Sequence, residues 1–388
     1  MKIALINNLY HKQKRGGAEI ILKKLKEGLE KKGHDCFVIS TAPSKIAKNT
    51  KTNGKSYDND DYLISSLYYN LYKLPYLIRL FWHLYKHLEL SSVNKVKKIL
   101  KNENPDLIIS HNLTGFGLRI YKLINKLNIS HIHYLHDIQM LHPSGRIIYG
   151  KESIIDSFFA RLYQKIQKKY SQKVDLIVSP SKWLLNLHQE KGFFKNTKVW
   201  QKFNPIEAID TQVINEESKS KFTFIYIGQI DKEKGVEIMI KSFLDLVNNK
   251  QTILKIIGDG KALDSLKEKY NTYEKIKFLG RLPYQKSMQE LARADTLILP
   301  SLIYENSPTA LFDALKLNVD IIASDLGGNS EIVNTYYGQL VPPANLKSLS
   351  SAMLKSLNEG GRKKKPVDLS ELQVKRYIEE LLKQLHLS

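Results

Sequence analysis

Residues 296–313 read Thr-Leu-Ile-Leu-Pro-Ser-Leu-Ile-Tyr-Glu-Asn-Ser-Pro-Thr-Ala-Leu-Phe-Asp. The run 296–299 has the length and composition of a buried strand. A short loop then displays Glu305, and Ser307-Pro308 opens a helix that carries Asp313. Serine is a favoured N-cap and proline fits the first helical position. The N–H groups of Thr309, Ala310 and Leu311 then point outward, where a helix start favours an anion such as a phosphate. A carboxylate beside such a helix start suits a sugar nucleotide, because it accepts sugar hydroxyls while the helix holds the diphosphate. Ordinary capping of a surface helix is the plainer reading of the same residues.

The strand–loop–helix unit recurs on both sides of this stretch. Upstream, strands are expected over 222–227, 253–257 and 276–278, with helices over 236–247, 262–270 and 284–292; downstream, a strand follows at 320–323. The first half shows the same alternation. It has strands over 2–7, 37–40, 106–110, 132–135 and 176–178, and helices over 20–32 and 93–101. Repeated alternation of this kind argues for parallel α/β packing, here in two consecutive doubly wound units with a cleft between them. Residues 1–205 form the first unit and 206–368 the second. Residues 206–220 are polar and acidic, as a linker is. A last amphipathic helix within 369–388 is expected to pack back on the first unit.

The 388-residue chain is 42% hydrophobic with a mean hydropathy of −0.33, which fits a globular protein with two cores. No apolar run reaches the eighteen or so residues of a membrane span. The N-terminus opens directly into a strand-like run without signal-peptide architecture. The single cysteine, Cys36, excludes an internal disulfide, so a reducing cytoplasm is expected. Charge is divided unevenly. Residues 1–200 hold 34 Lys/Arg against 15 Asp/Glu, a net +19, while residues 201–388 hold 26 against 24, a net +2. The asymmetry implies an anionic partner for the first half. Within that half, Tyr62, Tyr68, Tyr69, Tyr72, Tyr76, Phe81, Trp82 and Tyr85 interleave with Lys73, Arg79 and Lys86. Such a mixture suits the headgroup layer of an anionic membrane, or a helical insertion whose aromatics pack on the domain.

With both units placed, the motifs resemble those of family 4 of the retaining glycosyltransferases, which have the GT-B fold: two Rossmann-like domains facing across a cleft. The first-half motifs are Gly16-Gly17-Ala18-Glu19, like the family's glycine loop, and Leu135-His136-Asp137, like its histidine motif. In the second half, Ile227-Gly228-Gln229 with Lys234-Gly235 is similar to its phosphate-binding segment. Ile257-Gly258-Asp259-Gly260, Phe278-Leu279-Gly280, Pro300-Ser301 and Gly327-Gly328-Asn329-Ser330-Glu331 follow in the family's order. Two departures stand out. The family pairs two glutamates eight positions apart, where this chain has Glu305 and Asp313. It also has arginine where Gln229 stands, and glutamine cannot offset a phosphate's charge.

The resemblance implies catalytic roles for Glu305, His136 and Lys234. Glu305 would orient the donor sugar, Lys234 would face the diphosphate, and His136 would contact the sugar from the first unit. Donor contacts are implied for Gly16, Gly17, Gly228, Gln229, Asn306, Ser307, Pro308, Thr309, Ala310 and Leu311, and for Asp313 near the ribose. No cofactor is implied; the donor is a nucleotide diphosphate sugar, UDP- or GDP-linked. The acceptor is a lipid-linked or other glycan at an anionic membrane, and the enzyme is cytoplasmic and peripheral at the inner face. No metal is expected. His131 and His133 alternate as strand residues do, with no ligand set to complete them, and Asp58-Asn59-Asp60 reads as solvated loop. A catalytically silent partner subunit is the alternative, favoured by Gln229 and Asp313. A nucleic-acid binder rests on charge alone, without a recognisable motif, and the order of the motifs argues against a sugar-nucleotide epimerase of the same fold.

Overall fold

The computed structural model describes residues 1–10, 16–43, 55–56, 61–66, 90–171, 173–208, 221–246, 252–361 and 366–385, with isolated positions between 68 and 85. The chain divides into two compact units. Unit 1 comprises Met1–Arg146, Ser153–Glu207 and Glu371–Ser388; unit 2 comprises Ile147–Glu152 and Ala208–Ser370.

Unit 1 is built from β1 (Lys2–Ile6), α1 (Gly17–Lys31), β2 (Asp35–Ala42), β3 (Lys55–Ser56), β4 (Asp61–Ser65), α2 (Ser91–Glu103), β5 (Leu107–Ser110), α3 (Arg119–Leu127), β6 (Ser130–Tyr134), α4 (Phe158–Ser171), β7 (Leu176–Ser179), α5 (Lys182–Glu190) and β8 (Lys198–Gln201). Its eight described strands lie in the order β3-β4-β2-β1-β5-β6-β7-β8, and all pairs are parallel except β3 with β4. Ile3, Ala4, Leu5 and Ile6 are completely buried, as expected of a central parallel strand covered on both faces. The winding reverses between β1 and β5. The carboxyl ends of those two strands therefore flank the crevice where open α/β sheets take ligands.

The C-terminal helix Val374–Lys383 closes unit 1 by packing on α1. A side chain at Gly28 of α1 would meet side-chain carbons of Val374 and Ile378 at 2.4 Å, so a larger residue there would have to push them aside. Residue 206 pairs with the segment leading into that helix through Ile206 N–H to Leu372 O at 2.8 Å and Val374 N–H to Ile206 O at 3.2 Å. Of the aromatic stretch, Tyr62 lies in β4 and is buried, as is Trp82, which sits 6.0 Å from the Tyr68 ring. Those side chains pack inward, and Tyr85 is exposed. Lys73, Arg79 and Lys86 lie outside the described residues, as do Tyr69, Tyr72, Tyr76, Phe81, the Asp58–Asp60 motif and linker residues 209–220.

Unit 2 contains β9 (Phe222–Ile227), α6 (Val236–Leu244), β10 (Thr252–Ile257), α7 (Leu263–Tyr270), β11 (Ile276–Gly280), α8 (Tyr284–Ala292), β12 (Thr296–Leu299), α9 (Thr309–Lys316), β13 (Asp320–Ser324), α10 (Gly328–Thr335), β14 (Gln339–Val341) and α11 (Leu346–Asn358). Its six described strands are all parallel, in the order β11-β10-β9-β12-β13-β14, and the winding reverses between β9 and β12. No described helix is long and apolar enough to cross a membrane.

Candidate active site

The predicted site residues divide between the units. In unit 2 they gather at the switch point. The loop after β9 makes a 3-10 turn over Lys232–Lys234, and the loop after β12 carries Ser301 and Glu305. Lys234 Nζ and Glu305 Oε1 meet at 2.6 Å, with 19% and 17% of their side chains exposed. Ser301 Oγ donates to the same carboxylate oxygen at 2.9 Å, which fixes its direction. Seventy-one positions apart in sequence, the two charges are brought together because β9 and β12 are neighbours. Gly235 makes the approach possible. It lies at φ 71°, and a Cβ there would stand 1.9 Å from Pro300 O. The ammonium has three donors, so two remain beyond the one engaged by Glu305.

The rest of the loop is pinned from several sides. Leu302 N–H donates to Glu233 O at 2.9 Å, and Gly328 N–H to Glu305 O at 2.7 Å. Residues 147–152 form a strap across it. Ile148 bridges Ile303, Tyr149 N–H donates to Leu302 O at 2.8 Å, and Tyr304 N–H donates to Ile147 O at 3.1 Å. The Tyr304 hydroxyl reaches Glu152 Oε1 at 3.0 Å. This strap comes from the first half of the chain, and hydrophobic periodicity gave no sign of it.

Helix α9 starts one residue later than expected. Pro308, not Ser307, is the cap residue, because its ψ of 125° keeps it extended although its ring holds φ at −69°. One of the three expected open amides is thereby taken, since Leu311 N–H donates to Pro308 O at 3.2 Å. Thr309 and Ala310 keep first-turn amides with no intrahelical acceptor. Ser307 Oγ is freed from capping and is buried without a partner among the described residues. A buried hydroxyl beside a helix start is placed to meet a polar ligand. Asn306 precedes it in the same half-buried stretch.

Asp313 faces a different environment. It is 8% exposed, and Oδ1 takes Lys316 Nζ at 2.6 Å and the Tyr284 hydroxyl at 3.0 Å. Gly228 N–H donates to Ile257 O at 3.1 Å, and the Tyr226 hydroxyl holds Gln229 O at 2.6 Å, leaving the Gln229 side chain exposed.

In unit 1, Gly16 precedes α1 and donates its N–H to Glu19 Oε2 at 3.0 Å, with Gly17 as the first helical residue. A buried carboxylate thus already occupies this helix start. His136 follows β6, and its Nε2 lies 2.6 Å from His111 Nδ1 with the rings stacked at 4.9 Å. Burial pushes His136 down to about 4, so the ring is neutral at neutral pH. Beside it, burial raises Asp137 to about 7, although Gln139 N–H at 2.7 Å and Asn112 Nδ2 at 3.2 Å donate to it. His111, Asn112 and Asp137 help line a cavity of about 30 Å³, room for roughly one water. His131 and His133 are bonded to Ser110 Oγ at 2.6 and 2.8 Å. Sequence reading missed His111, Asn112, Asn7 and Asn8. Their signal was position, since each is a polar residue directly after an apolar strand at the switch point.

Comparison with known proteins matches both halves. The family model for glycosyltransferase family 4 covers residues 15–206, and that for glycosyl transferases group 1 covers residues 209–373. An uncharacterized 42.6 kDa protein in the cps region of Klebsiella pneumoniae is 26% identical over 338 residues, 86% of this chain and 87% of its own. The provisional teichuronic acid biosynthesis glycosyltransferase TuaC of Bacillus subtilis is 27% identical over 135 residues, 35% of this chain and 33% of its own. Sucrose-phosphate synthase from Thermosynechococcus elongatus superposes with a TM-score of 0.70 at 15% identity over 99% of both chains. Anabaena HepE in complex with UDP superposes at 0.66 with 17% identity, over 99% of this chain and 95% of its own. The structural likeness establishes the GT-B fold. With each half matched by its own family model, the chain belongs to the group 1 glycosyltransferases whose N-terminal half is of the family 4 type.

Proposed function

We propose that the protein transfers a sugar, with retention of anomeric configuration, from a UDP- or GDP-linked donor to a lipid-linked or other membrane-associated glycan during cell-surface polysaccharide synthesis. The observation that carries this reading is the Lys234–Glu305 pair, held at 2.6 Å beside the start of α9 and the open Ser307 hydroxyl. Departure of the nucleotide leaves negative charge on the diphosphate, and preorganised donors stabilise it. Lys234 and the amides of Thr309 and Ala310 supply those donors, so the reading needs no resident metal. Glu305 accepts donor-sugar hydroxyls. The acceptor attacks the face from which the nucleotide leaves, and the leaving phosphate takes the acceptor proton, so no protein nucleophile is required. The role expected of His136, a ring that burial keeps neutral, is that of a hydrogen-bonding group rather than a charge. The UDP in HepE, the cps-region relative and the teichuronic acid relative support the donor and pathway classes. The enzyme works on the cytoplasmic side, at the inner face of the membrane.

The test is a thermal-shift screen of UDP- and GDP-sugars, followed by donor hydrolysis. A stabilising donor whose turnover disappears in Glu305→Ala supports the reading. Binding without turnover in the wild type, with any donor and acceptor, favours the second reading, a silent partner subunit. The observation behind that alternative is the Asp313 carboxylate, which is held by Lys316 and Tyr284.

A further inference from the structure

Helix α4 is inverted with respect to ordinary amphipathic packing. Its buried face carries Gln164 and Gln167 beside Ala160 and Tyr163. Gln164 Nε2 bonds Leu141 O at 3.1 Å and Ile155 O at 2.7 Å, and the Tyr163 hydroxyl bonds Gln139 O at 2.9 Å. Three of its large apolar side chains point the other way. Phe158 is 77% exposed, Phe159 69% and Leu162 48%, and Ile154 joins them from the preceding turn. The two phenyl rings touch edge to face at 5.7 Å, forming one continuous apolar patch. A helix that buries its glutamines and exposes its phenylalanines has an apolar face left for a partner.

The charge around the patch identifies the partner's chemistry. Helix α4 contains Arg161, Lys165, Lys168 and Lys169 and no acidic residue. The nearest preceding carboxylate, Asp156, is paired with Lys191. A second copy of this chain seated here about a two-fold axis would set the basic rim against itself. An anionic lipid surface suits both features: phenyl rings enter the headgroup–acyl boundary while Arg and Lys reach the phosphates. We infer that the Ile154–Phe158–Phe159–Leu162 patch, rimmed by Arg161, Lys165 and Lys169, docks unit 1 on an anionic membrane. The bonds from α4 to the carbonyls of Gln139 and Leu141 tie the patch to the loop that carries His136 and Asp137. Docking there brings the ligand edge of the unit 1 sheet to the surface where a lipid-linked acceptor stands. The inference deepens the membrane-acceptor reading and rests on it. It adds a lipid contact at α4 to the one expected of the aromatic stretch 62–85, most of which lies outside the described residues.

The test is co-sedimentation of the full chain with vesicles of phosphatidylcholine alone and of phosphatidylcholine mixed with phosphatidylglycerol. The wild type should bind the anionic vesicles. The Phe158→Ser/Phe159→Ser/Leu162→Ser variant and the Arg161→Glu/Lys165→Glu/Lys169→Glu variant should each bind them at least about tenfold more weakly. Both should hydrolyse a soluble donor at the wild-type rate, which shows them folded. In Phe159→Trp, emission should shift to shorter wavelength with anionic vesicles only. Unchanged vesicle binding by the serine variant overturns the inference, as does a wild-type dimer that the serine variant dissolves. If vesicle binding follows the expected pattern while no variant hydrolyses any donor, docking stands and the transfer reading fails.

Discussion

The two units wind their strands in the same way and place different chemistry at the same point. At the switch point of unit 2 stands an opposed charge pair, Lys234 and Glu305, oriented by Ser301 and brought close by Gly235. At that of unit 1 stand uncharged rings and an amide, His111 stacked on His136 and Asn112 donating to Asp137, whose carboxyl burial raises to about 7. A charged site suits a leaving diphosphate, and a neutral one suits hydroxyl groups. The contrast teaches that the fold supplies a crevice, while burial decides which charges survive in it. In unit 1 desolvation discharges the imidazoles; in unit 2 the lysine and glutamate, 19% and 17% exposed, are held against each other at 2.6 Å.

The largest effects are expected where unit 2 holds charge. Glu305→Ala and Lys234→Ala should each lower donor turnover by about 10²–10³-fold. The double variant should be little worse than the poorer single one, because the pair acts as a unit. Steady-state hydrolysis measures this, and additive losses would separate the two residues. Next comes Gly235→Ala, whose methyl would collide with Pro300 O. Denaturant unfolding should show a loss of more than about 3 kcal/mol, the scale of a strained backbone in contact with backbone.

Unit 1 should reveal itself through pH instead. Burial lowers His131 to about 3 and His136 and His188 to about 4, and lowers His111 and His133 as well. Unfolded histidines take up protons near about 6.5. The unfolded chain therefore binds more protons below that pH, so stability is present above about 6.5 and is lost as pH falls toward the folded values. Asp137 acts in the opposite sense, because a carboxyl raised to about 7 loses its contribution as pH rises through that value. Melting temperature should fall from pH 6.5 to 4, and His188→Phe should make the slope shallower while leaving donor hydrolysis unchanged. The smallest effect is assigned to the strap. Tyr304→Phe frees the loop from Glu152 and should lower turnover by roughly two- to fivefold through misplacement of Glu305, with melting temperature nearly constant.

Most of the scaffold was legible because its strands are short, apolar and separated by helices of clear period. Thr296–Leu299 and Tyr284–Ala292 fall where periodicity puts them. Strand β4 did not, since Asp61 opens it and its carboxylate takes Val38 N–H at 2.8 Å, a tertiary reason invisible in one segment. Edge strand β8 is half polar and carried too weak an alternation. The candidate residues Glu305 and Lys234 stood out in the sequence, but their contact did not, because it depends on strand order. The strap 147–152 and the partners of Asp313 arise from distant sequence. The exposed apolar face of α4 departs from the rule that apolar residues point inward, which is why the proposed lipid contact is placed there.

The central claim is tested most directly by a crystal structure of the protein with a nucleotide diphosphate sugar bound. Diphosphate density is expected within hydrogen-bonding reach of Lys234 Nζ and the first-turn amides of α9, with the sugar ring against the Glu305 carboxylate. A donor seated elsewhere, with Lys234 and Glu305 still bonded only to each other and to Ser301, contradicts it.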